Sequence, residues 1–167
     1  MSHQPHPDSG GIAVSCAVIT VSDTRTAETD RSGQLIQQLL THAGHMIAHY
    51  AIVPDEPDVI RHQLANLPEL DAVILNGGTG IAPRDTTCDA IEQLLEKTLP
   101  GFGEIFRALS YAEIGSRAMA SRAIAGVSAN KLIFSLPGSS NAVKLAMEKL
   151  ILPEIVHLVT QIRSKTP

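Results

Sequence analysis

The stretch IAVSCAVITV, residues 12–21, is a nearly continuous run of apolar and β-branched side chains. Such a run is typical of a strand buried on both faces, which occurs chiefly in parallel sheets. Residues 45–53 and 71–75 carry two further runs of this kind. Between the runs, apolar residues recur at helical spacing in residues 35–43 and 59–67. The first half of the chain therefore predicts alternating strands and helices.

The second half of the chain continues this pattern less regularly. A third helix is expected from Thr86, whose hydroxyl can cap it with support from Asp89. We expect an irregular region with short helices at residues 100–121 and two strands at residues 122–127 and 131–136. Two helices follow at residues 143–151 and 155–162, with an interruption at Pro153. Alternation of this kind favours an α/β fold, a three-layer α/β/α sandwich with a mostly parallel central sheet.

Length and composition are those of one globular domain. The chain has 167 residues, of which 44% are hydrophobic and 18% charged, and a domain usually spans roughly 100–200 residues. We expect a single α/β domain over residues 12–167. Residues 1–11 are polar, rich in Pro, Gly and His, and lack the apolar core of a signal peptide, so a disordered tail is expected there.

Charge and hydropathy exclude several classes of partner. The formal net charge is −4, aromatic residues make up 3%, and no run of Lys and Arg stands out, whereas nucleic-acid-binding surfaces are usually basic. No apolar stretch is long enough to span a bilayer. We therefore expect no nucleic-acid partner, no membrane partner and a cytoplasmic location. Cys16 and Cys88 lack metal-ligand spacing and are expected to be reduced thiols.

Polar clusters directly follow four of the predicted strands. They are Ser22-Asp23-Thr24-Arg25, Pro54-Asp55-Glu56, Asn76-Gly77-Gly78-Thr79-Gly80 continued by Arg84-Asp85, and Pro137-Gly138-Ser139-Ser140. In a parallel sheet such loops gather at one edge, and open α/β sheets bind ligands in the crevice outside the carboxyl ends of their strands. Ser22, Asp23 and the residues of the later clusters are therefore candidates for binding a substrate.

The loop LNGGTGIAPRD, residues 75–85, is dense in glycine but matches neither common nucleotide-binding pattern. No Gly-Lys-Ser/Thr follows it, and Pro83 stands where the third glycine of a dinucleotide fingerprint belongs. The loop is therefore either a tight turn from strand to helix or an anion cradle. The cradle is favoured by the glycines, by the Thr79 hydroxyl and by the helix N-terminus just beyond them.

Asp55 and Asp85 each lie in a loop at the predicted crevice. Two carboxylates beside a phosphate site suggest Mg²⁺, which takes oxygen ligands and is often shared between carboxylates and substrate phosphates. The alternatives are that Asp55 only forms a turn, and that Asp85 caps the helix at Thr86 or pairs with Arg84, which can otherwise supply charge to a phosphate. In the last loop, Ser139 or Ser140 either caps the next helix or holds an anion.

Several stretches, taken in order, resemble the MoaB/MogA family of molybdenum cofactor biosynthesis proteins. They are TVSDTR, TDRSG, IVPDE, NGGTGIAPRDTT, PGFGEIFRALSYAEIGSRAMASRAIAGV and LIFSLPGSSNAVK. The resemblance covers residues 12–162, and residues 102–127 are most similar to the MoaB branch. It implies the three-layer α/β/α fold, molybdopterin as a ligand and assembly into trimers or hexamers, of which we expect the hexamer. Residues 102–121 are either a subunit contact or a satellite core.

The resemblance also implies an activity. Active members of that family are molybdopterin adenylyltransferases, which join molybdopterin to AMP from Mg-ATP and release pyrophosphate. The family's two catalytic aspartates match Asp55 and Asp85, and its two binding loops match residues 77–80 and 137–139. Cys88 departs from the family, since many relatives have proline there. Some MoaB proteins lack both aspartates, so the alternative is a catalytically silent protein that binds molybdopterin and hands it on.

Overall fold

The computed structural model describes residues 11–164, so the tail expected at residues 1–11 lies outside the described residues except for Gly11. The elements are β1 (Ser15–Val21), α1 (Arg31–His42), β2 (Met46–Val53), α2 (Pro57–Ala65), β3 (Ala72–Asn76), α3 (Thr87–Glu92), β4 (Lys97–Thr98), α4 (Pro100–Ile114), a 3-10 segment (Gly115–Ala120), β5 (Ile124–Ser128), β6 (Lys131–Leu136), α5 (Ser140–Ala146), a π turn (Met147–Ile151) and α6 (Leu152–Arg163). Within the described part of the chain, no helix combines the length and apolar character needed to cross a membrane.

The strands form one sheet in the order β2-β1-β3-β6-β5-β4. The first four are parallel neighbours, and β5 and β4 run antiparallel at one edge. The mostly parallel sheet that the buried apolar runs predict is therefore confirmed. As a result, the carboxyl ends of β2, β1, β3 and β6 lie side by side at one edge of the sheet.

Helices cover both faces of the sheet, which confirms the three-layer sandwich. On one face, Val18 of β1 packs in a cluster with Ile36 of α1 and Phe106 of α4. On the opposite face, Ile19 of β1 packs in a cluster with Ile60 of α2 and with residues of α3. Successive strand residues point to opposite faces, so a continuous apolar run is what a strand between two helical layers requires.

The region expected to be irregular, residues 100–121, is instead one helix of 15 residues, α4, followed by the 3-10 segment. Phe102 and Phe106 lie one turn apart and are both buried. Gly103 packs against the carbonyl oxygen of Ala123, which would lie 2.7 Å from a Cβ at this position. The glycine-rich start of the region thus reflects close packing of a helix and not a break in it.

The interruption expected at Pro153 is also absent. α5 continues through the π turn into α6, and Pro153 lies in the first turn of α6. A proline inside a helix removes one hydrogen bond and collides with the preceding turn, and the wider π turn before it makes room for the ring. The two-residue strand β4, which was not predicted, pairs with β5.

Candidate functional site

The loops that follow β1, β2, β3 and β6 meet at the carboxyl edge of the sheet, as the sequence predicts. The Ser22 amide donates to the Val53 carbonyl at 2.8 Å, and the Gly77 amide donates to the Leu136 carbonyl at 2.9 Å. The Asp55 amide donates to Oδ1 of the Asp23 side chain at 3.1 Å. A hydrogen bond from a backbone amide thus joins each of these loops to a neighbouring strand end or loop.

The glycine loop after β3 packs closely against the loops on either side. Gly77 and Gly78 have φ of 106° and 66°, a range that favours glycine. A Cβ on Gly77 would lie 3.2 Å from the Val21 carbonyl carbon and would collide with its oxygen. A Cβ on Gly138, in the loop after β6, would lie 3.3 Å from the Gly77 Cα. The turn alternative therefore accounts for these glycines without a ligand, and the anion cradle stays a prediction.

Both candidate carboxylates lie against glycines of this loop. Asp55 is only 6% exposed, and its Cγ would lie 3.0 Å from a Cβ on Gly78. Oδ2 of Asp85 would lie 2.6 Å from a Cβ on Gly80. The missing side chains of Gly78 and Gly80 therefore leave the space that the two carboxylates occupy, and the structure brings both aspartates to one loop.

Asp55 also anchors the start of α3. Its Oδ1 accepts hydrogen bonds from the Thr86 amide at 3.2 Å, from the Thr86 hydroxyl at 2.7 Å and from the Thr87 hydroxyl at 3.4 Å. The expected capping of α3 by the Thr86 hydroxyl is wrong, because that hydroxyl donates to Asp55 and makes no cap hydrogen bond. Asp55 is therefore more than a turn residue, and within residues 11–164 no hydrogen bond to its Oδ2 is found.

Asp85 closes a short turn at the far end of the loop. Its Oδ2 accepts from the Ala82 amide at 3.1 Å, and its own amide donates to the Ala82 carbonyl at 2.9 Å. The alternative pairing with Arg84 is wrong, because the Arg84 guanidinium binds Asp23 at 2.8 Å and Glu56 at 2.6 Å. The N-cap of α3 is Thr86, so the capping alternative for Asp85 is wrong as well.

The ion pairs of Arg84 lie at the surface and join three of the loops. The Arg84 hydrogen bond lowers the pKa of the Asp23 carboxyl, and hydrogen bonds to Asp23 and Glu56 raise the pKa of Arg84 above its usual range. The Arg84 side chain is 54% exposed, so solvent screens these pairs and their contribution to stability is small. Arg84 is thus a charged group at the crevice that a bound anion could recruit.

The loop after β6 is held from the α1 side. The Gly138 carbonyl accepts from the Arg25 guanidinium at 2.9 Å and from the Ser32 hydroxyl at 2.6 Å. The Ser139 hydroxyl oxygen accepts from the Ala142 amide at 3.3 Å, so Ser139 is the N-cap of α5 and the capping alternative is confirmed. Pro137, Gly138 and Ser139 remain at the crevice as predicted. Ser22 also lies at the crevice, where its hydroxyl oxygen accepts hydrogen bonds from the Thr24 and Arg25 amides of its own turn.

A buried polar network beneath the crevice was not predicted. Asp30 is fully buried and accepts from the Thr20 hydroxyl at 2.6 Å, the Tyr50 hydroxyl at 2.7 Å and the Gly33 amide at 3.0 Å. Thr20 in turn accepts from the side-chain amide of Asn76, the residue before the glycine loop, at 2.9 Å. The sequence signals for Asp30 are its place before a helix, which is typical of an N-cap, and the TDRSG stretch of the family resemblance.

Arg122 is a second residue that sequence reasoning missed. Its guanidinium donates to the Gly80 carbonyl at 2.9 Å, to the Asp85 carbonyl at 2.8 Å and to Oδ1 of Asp89 at 2.8 Å. The hydrogen bond to Asp89 raises the pKa of Arg122, so the guanidinium stays charged. These partners are more than thirty positions away in sequence, and no local pattern marks such a contact.

The Mg²⁺ site expected at Asp55 and Asp85 stays a prediction. Among residues 11–164, no group of three or more His, Cys, Asp and Glu side chains is placed to hold a metal. Mg²⁺ is usually bound by one or two carboxylates together with substrate phosphates, and Asp55 and Asp85 stay its predicted ligands. Cys16 and Cys88 are free thiols, and burial raises the pKa of Cys16 to about 12 and that of Cys88 to about 11.

Comparison with known proteins places this site in a family. Residues 17–157 match the family described as "Probable molybdopterin binding domain". The chain is 59% identical over 167 residues to molybdenum cofactor biosynthesis protein B of Bacillus subtilis (strain 168), covering 98% of each chain.

Two solved structures are similar along nearly their whole length. A crystal structure of a molybdenum cofactor biosynthesis protein B superimposes with a TM-score of 0.87 at 52% identity, covering 90% of this chain and 96% of the other. The tungsten cofactor synthesizing protein MoaB from Pyrococcus furiosus superimposes with a TM-score of 0.80 at 36% identity, covering 91% of this chain and 98% of the other.

Proposed function

The chain belongs to the family of molybdenum cofactor biosynthesis proteins with a molybdopterin-binding domain, and on this basis we propose that it is a Mg²⁺- and ATP-dependent molybdopterin adenylyltransferase. One observation carries the proposal. Two carboxylates from different strand loops, Asp55 and Asp85, lie against the same glycine loop at the carboxyl edge of the sheet, where open α/β sheets bind their ligands.

The proposed reaction is a transfer between phosphates. An oxygen of the terminal phosphate of molybdopterin attacks the α-phosphorus of ATP, the bond to the bridging oxygen breaks, and pyrophosphate leaves with that oxygen. A phosphate nucleophile is ionised near neutral pH, so no strong general base is needed. Catalysis then consists of positioning and charge neutralisation. Mg²⁺, when bound, neutralises charge on the phosphate oxygens.

The residues of the site take separate roles in this proposal. Asp55 and Asp85 hold the metal and order the phosphates. The glycine-loop amides of residues 77–80 and the Thr79 hydroxyl hold a phosphate or the pterin tail, and residues 137–139 hold another part of the pterin. Ser22 and Asp23 border the same crevice, and Arg84 exchanges its exposed carboxylate partners for a substrate phosphate.

The test supplies purified protein with molybdopterin, ATP and Mg²⁺ and measures adenylylated molybdopterin and pyrophosphate. We expect Asp85→Asn to lower the rate by about 100-fold or more, because it removes the charge that holds the metal. The unfolding transition should change little, since Asp85 is only half-buried. The matched control is Asp58→Asn, whose carboxylate is 98% exposed and pairs with Arg61 in α2.

Two outcomes oppose the proposal. Full activity in Asp85→Asn would make the metal assignment wrong. Binding of molybdopterin without ATP turnover in the native protein would favour the alternative, a silent carrier of the same pathway. Because ATP is the proposed substrate, we place the reaction in the cytoplasm.

We further propose that the chain forms a homo-oligomer, with a hexamer favoured over a trimer. Both alternatives for residues 102–121 find support in α4, because Phe102 and Phe106 are core residues, whereas Ile105 and Tyr111 are 50% and 64% exposed. An exposed apolar helix face supports a subunit contact. Light scattering distinguishes monomer, trimer and hexamer.

A further inference from the structure

The Arg122 side chain bridges both ends of the turn that carries Asp85. Its Nε donates to the Gly80 carbonyl at 2.9 Å and its Nη2 donates to the Asp85 carbonyl at 2.8 Å. The planar guanidinium can donate in two directions at once from fixed positions. One side chain therefore sets the spacing of two backbone positions on either side of the exposed tip of the loop.

The backbone of Arg122 adds to the same connection. Its amide donates to the Thr79 carbonyl at 3.2 Å, and its carbonyl accepts from the Cys88 thiol at 2.9 Å. Arg122 lies two residues before β5, which is paired with both β4 and β6. The residue thus connects the glycine loop and the first turn of α3 to the segment that leads into β5.

Little else holds this turn. In the described structure, the other hydrogen bonds and ion pairs of residues 80–85 are those between Asp85 and Ala82 and the exposed pairs of Arg84. Ile81 at the tip is 77% exposed. Exposed segments with few buried contacts open at low free-energy cost, so removing the guanidinium should loosen the segment that carries the Asp85 carboxylate.

We propose that Arg122 is a positioning residue that holds residues 80–85, and with them the Asp85 carboxylate, in the geometry needed for turnover. The link to turnover rests on the adenylyltransferase proposed above, whereas the restraint of the loop does not. Lysine replaces Arg122 only in part, because its single ammonium nitrogen lacks the rigid planar fork that contacts the two carbonyls through separate nitrogen atoms.

The test compares Arg122→Ala, Arg122→Lys and Asp89→Asn with the native protein. Hydrogen–deuterium exchange of residues 79–86 should rise about 10-fold in Arg122→Ala, less in Arg122→Lys, and hardly at all in Asp89→Asn. Asp89 is the matched control because its side chain is 58% exposed, and its change removes the ion pair while leaving the bonds to Gly80 and Asp85.

Turnover supplies the second measurement. We expect kcat of Arg122→Ala to fall about 10- to 100-fold, the half-saturating Mg²⁺ concentration to rise, and KM for molybdopterin to change less than kcat. Guanidinium ion at concentrations well below those that unfold the protein should partly restore kcat of Arg122→Ala and should not restore Asp85→Asn. A role confined to folding predicts no such rescue, and Arg122→Lys keeps the test informative if the alanine variant folds poorly.

The outcomes separate the two proposals. Native exchange in residues 79–86 of Arg122→Ala would overturn the restraint itself. Loosened exchange with native kcat would overturn its role in positioning Asp85. If the native protein turns over no substrate, the adenylyltransferase proposal fails and so does the link to turnover, while exchange still decides whether Arg122 restrains the loop.

Discussion

Replacement of Gly78 by alanine tests whether the glycine loop makes room for a buried carboxylate. Gly78 has φ of 66°, and an added Cβ would lie 3.0 Å from the Asp55 Cγ and closer still to its Oδ2 and to the Thr87 hydroxyl oxygen. Both neighbours are buried. Neither can move aside into solvent, so the collision has to be relieved by displacing Asp55 or the loop.

The size of the effect follows from two contributions. Placing alanine in the left-handed region costs about 1–2 kcal/mol. Displacing Asp55 weakens its hydrogen bonds from the Thr86 amide and hydroxyl, each worth about 0.5–1.5 kcal/mol net. We therefore expect Gly78→Ala to lower the free energy of unfolding by about 2–4 kcal/mol, which most domains of this size survive. Adenylylation should fall with it, since Asp55 is moved.

Urea unfolding followed by far-UV circular dichroism measures this loss, since the chain has no tryptophan to report by fluorescence. Two glycine variants serve as controls. Gly101→Ala in α4 meets no atom within 4 Å and should be neutral or stabilise by up to about 1 kcal/mol. Gly80→Ala would place a Cβ 2.6 Å from Oδ2 of the half-buried Asp85, which can swing away, so activity should fall more than stability.

A Gly78→Ala variant within about 0.5 kcal/mol of the native protein, the range of ordinary surface changes, would refute this reasoning. It would show that the loop relaxes without disturbing Asp55. Equal losses of stability in Gly78→Ala and Gly101→Ala would also contradict this explanation, since only the Cβ added at Gly78 would collide with neighbouring atoms.

Two further changes probe the buried polar groups. Tyr50→Phe removes one donor to the buried carboxylate of Asp30 and should lower the free energy of unfolding by about 1–2 kcal/mol in the same urea titration. Burial lowers the pKa of His45 below its ordinary 6.5, and its Nδ1 accepts from the Val14 amide. His45 therefore binds a proton more readily in the unfolded chain, and the free energy of unfolding should fall as pH drops from 6.5 through the folded pKa. Unfolding curves at several pH values should show this dependence of stability on pH in the native protein and a weaker one in His45→Gln.

Much of the fold could be predicted because its signals are local. A strand between two helical layers must be apolar at successive positions, and residues 12–21 show this directly. The loop positions follow from the strand ends, so the sequence alone assigns Asp55, Asp85 and the glycines to one edge of the sheet. The predictions failed in the second half of the chain, where residues 100–114 form the single helix α4 with Gly103 as a packing residue, and where Pro153 follows a π turn without ending the helix.

The mostly parallel sheet and the position of Asp55 and Asp85 in loops that follow strands can be predicted from the sequence, since each depends on residues near one another in the chain. What those loops contact depends instead on the tertiary structure. Gly78 faces Asp55, Thr86 donates to Asp55 and does not cap its own helix, and Arg122 reaches across the sheet edge to Gly80. Such contacts form when the sheet brings together loops that are distant in the chain, so patterns among neighbouring residues in the sequence do not predict them.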